Sequence, residues 1–271
     1  MTILVTGATG LVGTRLLPRL VASGVTCRAL VRGGKLATDE VTTIDGDLLD
    51  PASLDAAVEG VTAVIHLAAV LRTPDASLIH RVNLEGTNNL IMAVRAGAPN
   101  ARVIMASTGL VYDPGTSRPA REHDACHPAT PYPASKVAAE ASLMASGLDW
   151  TIQRFGFVYG DGDGHLAALL GLAERFDWHP AMALSLIHHR DIAAAVALAL
   201  AGGMAGRIVN IVDEAPMTLF ELCEIAGHPV AASASPLANP WSGRLDGELA
   251  RSLGFRPSVR TVRQAQEEGI L

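Results

Sequence analysis

The stretch Ile3-Leu4-Val5-Thr6-Gly7-Ala8-Thr9-Gly10-Leu11-Val12-Gly13 decides the fold. Its apolar start has the length expected of a buried strand, and after a glycine turn an apolar-periodic helix runs to about Leu20. Gly7, Gly10 and Gly13 are spaced G-x-x-G-x-x-G. Glycines so placed permit a tight turn, let the backbone approach a pyrophosphate and let the helix pack closely on the strand. Free N–H groups of the turn and the positive end of the helix dipole then face the phosphates. The triplet alone is a weak signal; between a strand and a helix start it is a strong one.

Outward from this stretch, strands and helices alternate. Residues 26–31, 41–44, 61–67, 102–106 and 150–155 read as strands, and 51–58, 77–96 and 133–146 as helices. Such alternation requires parallel strands joined by crossover helices. The fold class is therefore α/β, a Rossmann-type doubly wound parallel sheet with helices on both faces. Beyond Gly160 the pattern is patchier, with helices at 191–201, 219–226 and 247–253 and a strand at 207–212. The expected organisation is a dinucleotide-binding domain over 1–158 and a small C-terminal α/β substrate lobe over 159–271, from which about 184–212 returns to the first domain. Residues 112–130, rich in Pro, Gly and charge, read as a long loop, and such loops are commonly functional.

Ligands of open parallel sheets bind beyond the carboxyl ends of the strands. The second strand ends Leu30-Val31-Arg32-Gly33-Gly34-Lys35. An acidic residue there would take the ribose 2′-hydroxyl of NAD, whereas a cation accommodates the 2′-phosphate of NADP. With no carboxylate at the position, Arg32 and Lys35 favour NADP over NAD. Asp47, followed by Leu48, lies where a carboxylate would meet an adenine edge; Asp50 is the more natural cap for the helix starting at Pro51. The next strand ends are His66-Leu67-Ala68-Ala69 and Ala106-Ser107-Thr108-Gly109, small residues that let a cofactor approach and hydroxyls that bond it. Tyr132 and Lys136, four apart at a helix start, share one face. The ammonium is expected to stabilise the phenolate and lower the Tyr132 pKa toward working pH.

With 49% hydrophobic and 18% charged residues among 271, the chain suffices for a large core. A formal net charge of -6 gives no reason to expect nucleic acid or an anionic membrane as partner. No apolar run approaches the roughly eighteen residues of a membrane span, and no charged leader precedes the first strand, so a cytoplasmic location is expected. Cys27, Cys126 and Cys223 are widely spaced without C-x-x-C pairing, which argues against a disulfide framework or a zinc site.

Taken together, the stretch 6–13, Asp47 with Leu48, Leu67-Ala68-Ala69, Asn83, Ser107-Thr108, Tyr132 and Lys136 resemble the extended short-chain dehydrogenase/reductase superfamily, and within it the NAD(P)-dependent epimerase/dehydratase family. The similarity continues through Arg154-Phe155-Gly156-Phe157-Val158-Tyr159-Gly160, Ile187-His188-His189-Arg190-Asp191-Ile192-Ala193, Asn210 and Leu253-Gly254-Phe255-Arg256-Pro257. The resemblance implies that Tyr132 is the general acid/base, that Lys136 is its partner and holds the nicotinamide ribose, and that Thr108 orients the substrate oxygen, with Ser107 the neighbouring candidate. It also implies that Asn83 supports the helix and cofactor region, that Phe155 and Gly156 flank the nicotinamide, and that two copies pair through the helices at 77–96 and 133–146 as a homodimer. The implied activity is hydride exchange at a carbonyl or alcohol carbon of a sugar nucleotide or a smaller carbonyl compound. A non-catalytic NADP-binding redox sensor is the alternative, and retention of both Tyr132 and Lys136 argues against it.

Some residues depart from the pattern. Family members that bind sugar nucleotides commonly carry Asn near the place of Phe157 and a more basic C-terminal lobe. Here residues 160–180 offer only Arg175 as a cation, with Arg190, Arg244 and Arg251 farther on. His165, His179, His188 and His189 lack supporting carboxylate spacing, so no metal site is expected. The apolar stripe within 166–182 fits either a small apolar pocket or an ordinary helix core.

Overall fold

In the computed structural model, which describes residues 1–33 and 40–271, strand β1 (Thr2–Thr6) runs through the middle of the sheet. Its neighbours are β2 (Thr26–Val31) and β4 (Ala63–His66). Ile3, Leu4 and Val5 are each 0% exposed. They read as a continuous apolar run, not an alternating one, because helices cover both faces. With β3 (Thr42–Asp45), β5 (Arg102–Thr108), β6 (Asp149–Phe155) and β10 (Arg207–Ile211), the order is β10-β6-β5-β4-β1-β2-β3, and every pairing is parallel. The order reverses between β1 and β4, and that reversal opens the crevice in which ligands of such sheets bind.

Helices α1 (Gly13–Ala22) and α7 (His189–Leu200) cover one face, with Leu16, Leu20, Ile192 and Val196 in its core. The other face is covered by α2 (Asp55–Val58), α4 (Gly86–Gly97) and α5 (Pro131–Met144), which contribute Val58, Leu90, Val94 and Leu143. The helix expected over 77–96 is interrupted: α3 (Ala76–His80) passes through one π turn, Arg81–Glu85, into α4. Such turns open the backbone ladder and recur at functional sites. The helix expected over 51–58 is likewise split, a 3₁₀ turn (Pro51–Leu54) leading into α2. Asp50 precedes it without capping it, because the Ser53 N–H that a cap would take already donates to the Asp50 carbonyl at 3.1 Å.

The remaining elements build a second layer beyond the strand ends: β7 (Phe157–Tyr159) pairs in parallel with β9 (Leu186–His188), and β8 (Ala183–Leu184) pairs antiparallel with β11 (Met217–Thr218). Around them lie α6 (Leu169–Arg175), α8 (Leu219–Ile225), α9 (Glu248–Ser252) and α10 (Val262–Glu267). Leu166 and Leu169 are buried with Leu184, Leu222 and Val262, so that part of the 166–182 stripe is helix core, not pocket wall. Among the described residues, no helix is long and apolar enough to cross a membrane.

Candidate active site

The glycine turn is fixed by close contacts. Gly7 has φ +70°, and a Cβ on it would come within 2.6 Å of the Ala68 amide nitrogen; one on Gly13 would stand 2.2 Å from the Gly7 carbonyl oxygen. Only glycine admits both the exit of β4 and the start of α1 so close to this turn. Gly10 N–H donates to Gly7 O at 3.0 Å, while the N–H groups of Leu11 and Val12 find no acceptor among the described residues. Thr9, Gly10 and Leu11 are exposed, and no acidic residue lies in the first turn of α1. Free donors on the positive end of a helix suit a pyrophosphate.

At the end of β2, Arg32 is exposed and without partners among the described residues, whereas Lys35 lies outside them. Gly33 N–H donates to Asp45 Oδ1 at 2.8 Å, so one oxygen of the β3 carboxylate is held by the backbone. Asp47 Oδ1 accepts the Leu49 N–H at 2.9 Å. Leu48 is a packing residue, 6% exposed beneath Gly86, and its carbonyl accepts from Asn89 Nδ2 at 2.8 Å.

A buried chain of hydrogen bonds connects this turn to α5. Thr87 Oγ1 donates to Asn83 O (2.6 Å), so toward His66 Nε2 (2.9 Å) it accepts. His66 therefore carries its proton on Nε2, and its Nδ1 accepts from Thr6 Oγ1 at 2.7 Å. Burial and the nearby Lys136 ammonium push the His66 pKa down to about 3, so the ring is neutral. Asn83, in the π turn, accepts the Val70 N–H (2.7 Å) and donates to Val70 O (2.9 Å) and Ser135 Oγ (3.0 Å); Ser135 donates in turn to Tyr132 O (2.7 Å). Asn83 thus ties the loop after β4, with Leu67, Ala68 and Ala69, to the helix that carries Tyr132 and Lys136.

The two hydroxyls at the end of β5 have different roles. Thr108 Oγ1 accepts the Leu110 N–H at 3.2 Å, which leaves its proton free for a ligand. Ser107, next to Ala106, donates its proton to Glu140 Oε1. The same carboxylate takes Arg154 Nε (3.1 Å) and Nη2 (2.5 Å), and the Arg154 guanidinium also stacks 4.8 Å from the Tyr112 ring centroid. This buried cluster was not singled out from the sequence, although Lys136 and Glu140 repeat the four-residue step that groups Tyr132 with Lys136. Residues 112–130 contribute Tyr112 and Glu122 to it and are anchored by the ion pairs Arg118–Asp124 (2.7 Å) and Arg121–Asp246 (2.9 Å).

Lys136 is 3% exposed, and its ammonium finds no hydrogen-bond acceptor among the described residues. Burial draws its pKa down to about 8 against the opposing pull of Glu140. The direction expected for Tyr132 is corrected: burial pushes its phenol up to about 12. Desolvation of a phenolate outweighs whatever the spacing to Lys136 supplies. Phe155 is 6% exposed and part of the core, so its side chain does not line the crevice; at Gly156 a Cβ would meet Ser185 O at 2.5 Å. The histidines have structural partners. His188 Nδ1 accepts the Arg190 N–H at the start of α7, His189 faces Asp163 at 2.9 Å, and His165 stacks on Phe157 at 4.3 Å.

The turn donors, the buried unpaired Lys136 and the free Thr108 proton fit a nicotinamide dinucleotide in the crevice. A model of the NAD dependent epimerase/dehydratase family matches residues 3–212. Ceramide reductase of Caulobacter vibrioides (strain NA1000 / CB15N) is 29% identical over 276 residues, spanning 97% of this chain and 82% of that protein. The dTDP-6-deoxy-L-talose 4-dehydrogenase (NAD(P)(+)) of Kitasatospora kifunensis is 30% identical over 299 residues, spanning 97% and 93%. The solved structure of MoeE5 in complex with UDP-glucose and NAD superposes with a TM-score of 0.82 at 26% identity, covering 98% of this chain and 96% of that one. Matched by the family model over most of its length, and by dehydrogenases and reductases of similar size, this chain belongs to the NAD dependent epimerase/dehydratase family.

Proposed function

We propose that the protein is an NADP-dependent reductase of a small apolar carbonyl compound, with Tyr132 as general acid. The observation that supports this most directly is the Thr108 hydroxyl with its proton free at the end of β5, beside the helix α5 that carries Tyr132 and the buried Lys136 one turn apart. When bound, the cofactor supplies hydride to the carbonyl carbon. The Thr108 O–H orients the substrate oxygen by donating to it, and the Tyr132 phenol gives that oxygen its proton, completing the alcohol. With a pKa of about 12, Tyr132 stays protonated through the neutral range, which suits it to donate. Lys136 and the Leu11 and Val12 amides hold the ribose and the phosphates.

The pairing of some of the cations supports this substrate class. Arg260 is paired with Glu214 (2.7 Å) and Arg263 with Glu221 (3.2 Å), while Arg175 and Arg244 lie over Phe176 and Trp241 (5.4 and 5.0 Å). A nucleotide diphosphate would have to compete with carboxylates for Arg260 and Arg263. Leu71 and Leu110, in the loops leaving β4 and β5, are 43% and 57% exposed and favour an apolar ligand. A nucleotide-linked keto sugar is the second reading, supported by the end-to-end likeness to the talose dehydrogenase. Incubation with NADPH and a panel of medium-chain β-keto esters and nucleotide-linked keto sugars tests this; turnover of the esters, read as loss of reduced-cofactor absorbance, is the expected result. Turnover of the keto sugars alone would replace the first reading by the second. Cofactor binding without turnover of either class would point to a sensor.

Unpaired Arg32 supports NADP over NAD. Arg32→Ala is expected to weaken NADPH binding about tenfold, the worth of a charge-assisted hydrogen bond to phosphate. NADH binding should be unchanged; equal effects on both would place Arg32 away from the 2′-phosphate. Exposed Met92 (67%) and Met144 (41%), on α4 and α5, support pairing of two copies through these helices.

A further inference from the structure

We propose that Glu140 is the positioning residue for Lys136: clamped from two strands, its carboxylate supplies the negative charge against which the lysine is set. The inference rests on the reading that Lys136 holds the cofactor. Both residues are buried, 3% and 2% exposed, and they lie one helical turn apart on α5, where positions four apart are neighbours. The carboxylate cannot swing away, because Ser107 of β5 donates to Oε1 and Arg154 of β6 donates to both oxygens, at 3.1 and 2.5 Å. Arg154 is held from behind in turn, its Nη1 donating to Glu122 O at 3.3 Å and its guanidinium lying over the Tyr112 ring.

The groups around Lys136 leave Glu140 as the anion that acts on it. On α5 these groups are the Tyr132 phenol and Glu140. From β4 comes His66, which is neutral, and from the π turn Asn83, also neutral. From β5 the Ser107 hydroxyl, and from β6 Arg154, reach Glu140. Cys126 faces the Glu140–Arg154 pair from the loop over 112–130, its thiol pushed up by burial. Arg154 is thus paired with the carboxylate directly, while Lys136 lies one helical turn from it without a hydrogen bond to it among the described residues. A residue serving only as counter-ion to Arg154 would leave the charge of Lys136 indifferent to its removal. In this arrangement burial lowers the lysine and Glu140 opposes the fall.

The test is NADPH binding, followed by the fluorescence of the reduced cofactor, as pH is raised from neutral. Lys136 is charged below its pKa, so wild-type affinity should fall as pH rises through about 8. Glu140→Gln should move that fall to lower pH by about one unit, the size of a neighbouring-charge effect, and Glu140→Asp should move it back. A fall at the wild-type pH in a folded Glu140→Gln variant would overturn the proposal. If this variant does not fold, Glu140→Leu combined with Arg154→Met removes both members of the ion pair and is expected to give a smaller displacement in the same direction, because the nearer carboxylate charge is only partly offset by loss of the guanidinium; no displacement would overturn the proposal. Lys136→Met separates the two readings. Loss of the pH-dependent fall identifies it with Lys136; binding and pH dependence equal to wild type would remove Lys136 from the cofactor site, a failure distinct from that of Glu140.

Discussion

Replacement of Tyr132 by Phe is expected to lower kcat by about 10²- to 10⁴-fold, the usual contribution of a positioned proton donor, while NADPH affinity stays unchanged. The ring remains and only the hydroxyl is lost, so packing at the start of α5 is preserved. Ser135 holds the backbone carbonyl of residue 132, not its side chain, and that bond survives the substitution. In the proposed reaction the hydroxyl acts when the carbonyl oxygen gains charge, which places the loss in kcat and not in binding. Burial raises the phenol to about 12, so titration of Tyr132 should leave reduction untouched through the neutral range. The alkaline decline is expected near 8, where Lys136 loses its charge. A Tyr132→Phe variant that reduces its substrate at the wild-type rate would show that the proton comes from elsewhere, and Thr108, with its free O–H, would become the first candidate.

The residues differ in how much of their role could be read from the chain alone. The stretch 3–13 and the strand–helix alternation were sufficient for the sheet, because fully buried parallel strands are written as apolar runs. Elements of two or three residues, such as β8 and β11, are too short to carry a period, and they are held by pairing that the chain does not announce. The π turn at Asn83 has no periodic signature either; its cause is the set of hydrogen bonds from Asn83 to Val70 and Ser135. Spacing grouped Tyr132 with Lys136 but gave the wrong direction for the phenol, since distance along a helix says nothing about burial. Glu140 and Arg154, fourteen positions apart, meet only because β6 lies beside β5, which faces α5.

That pair carries a large expected stability effect. Arg154→Met should destabilise the fold by about 3–5 kcal/mol, because it leaves a buried carboxylate with Ser107 as its one remaining donor among the described residues. The side chains are 4% and 2% exposed, so water cannot take over the lost hydrogen bonds. Tyr112 loses the cation over its ring as well, although its hydroxyl keeps Asn210 Oδ1 at 2.7 Å. At roughly 2–4 °C per kcal/mol for a chain of this size, Tm should fall by on the order of ten degrees. Glu140→Leu alone should cost a similar amount, with the charges reversed. Combining the two removes both buried ions, and the double variant should recover most of the loss, since apolar side chains of like volume replace a buried ion pair at little cost. Additive losses, with the double variant the least stable of the three, would mean that the two residues act through separate contacts and that the clamp on Glu140 does not depend on Arg154.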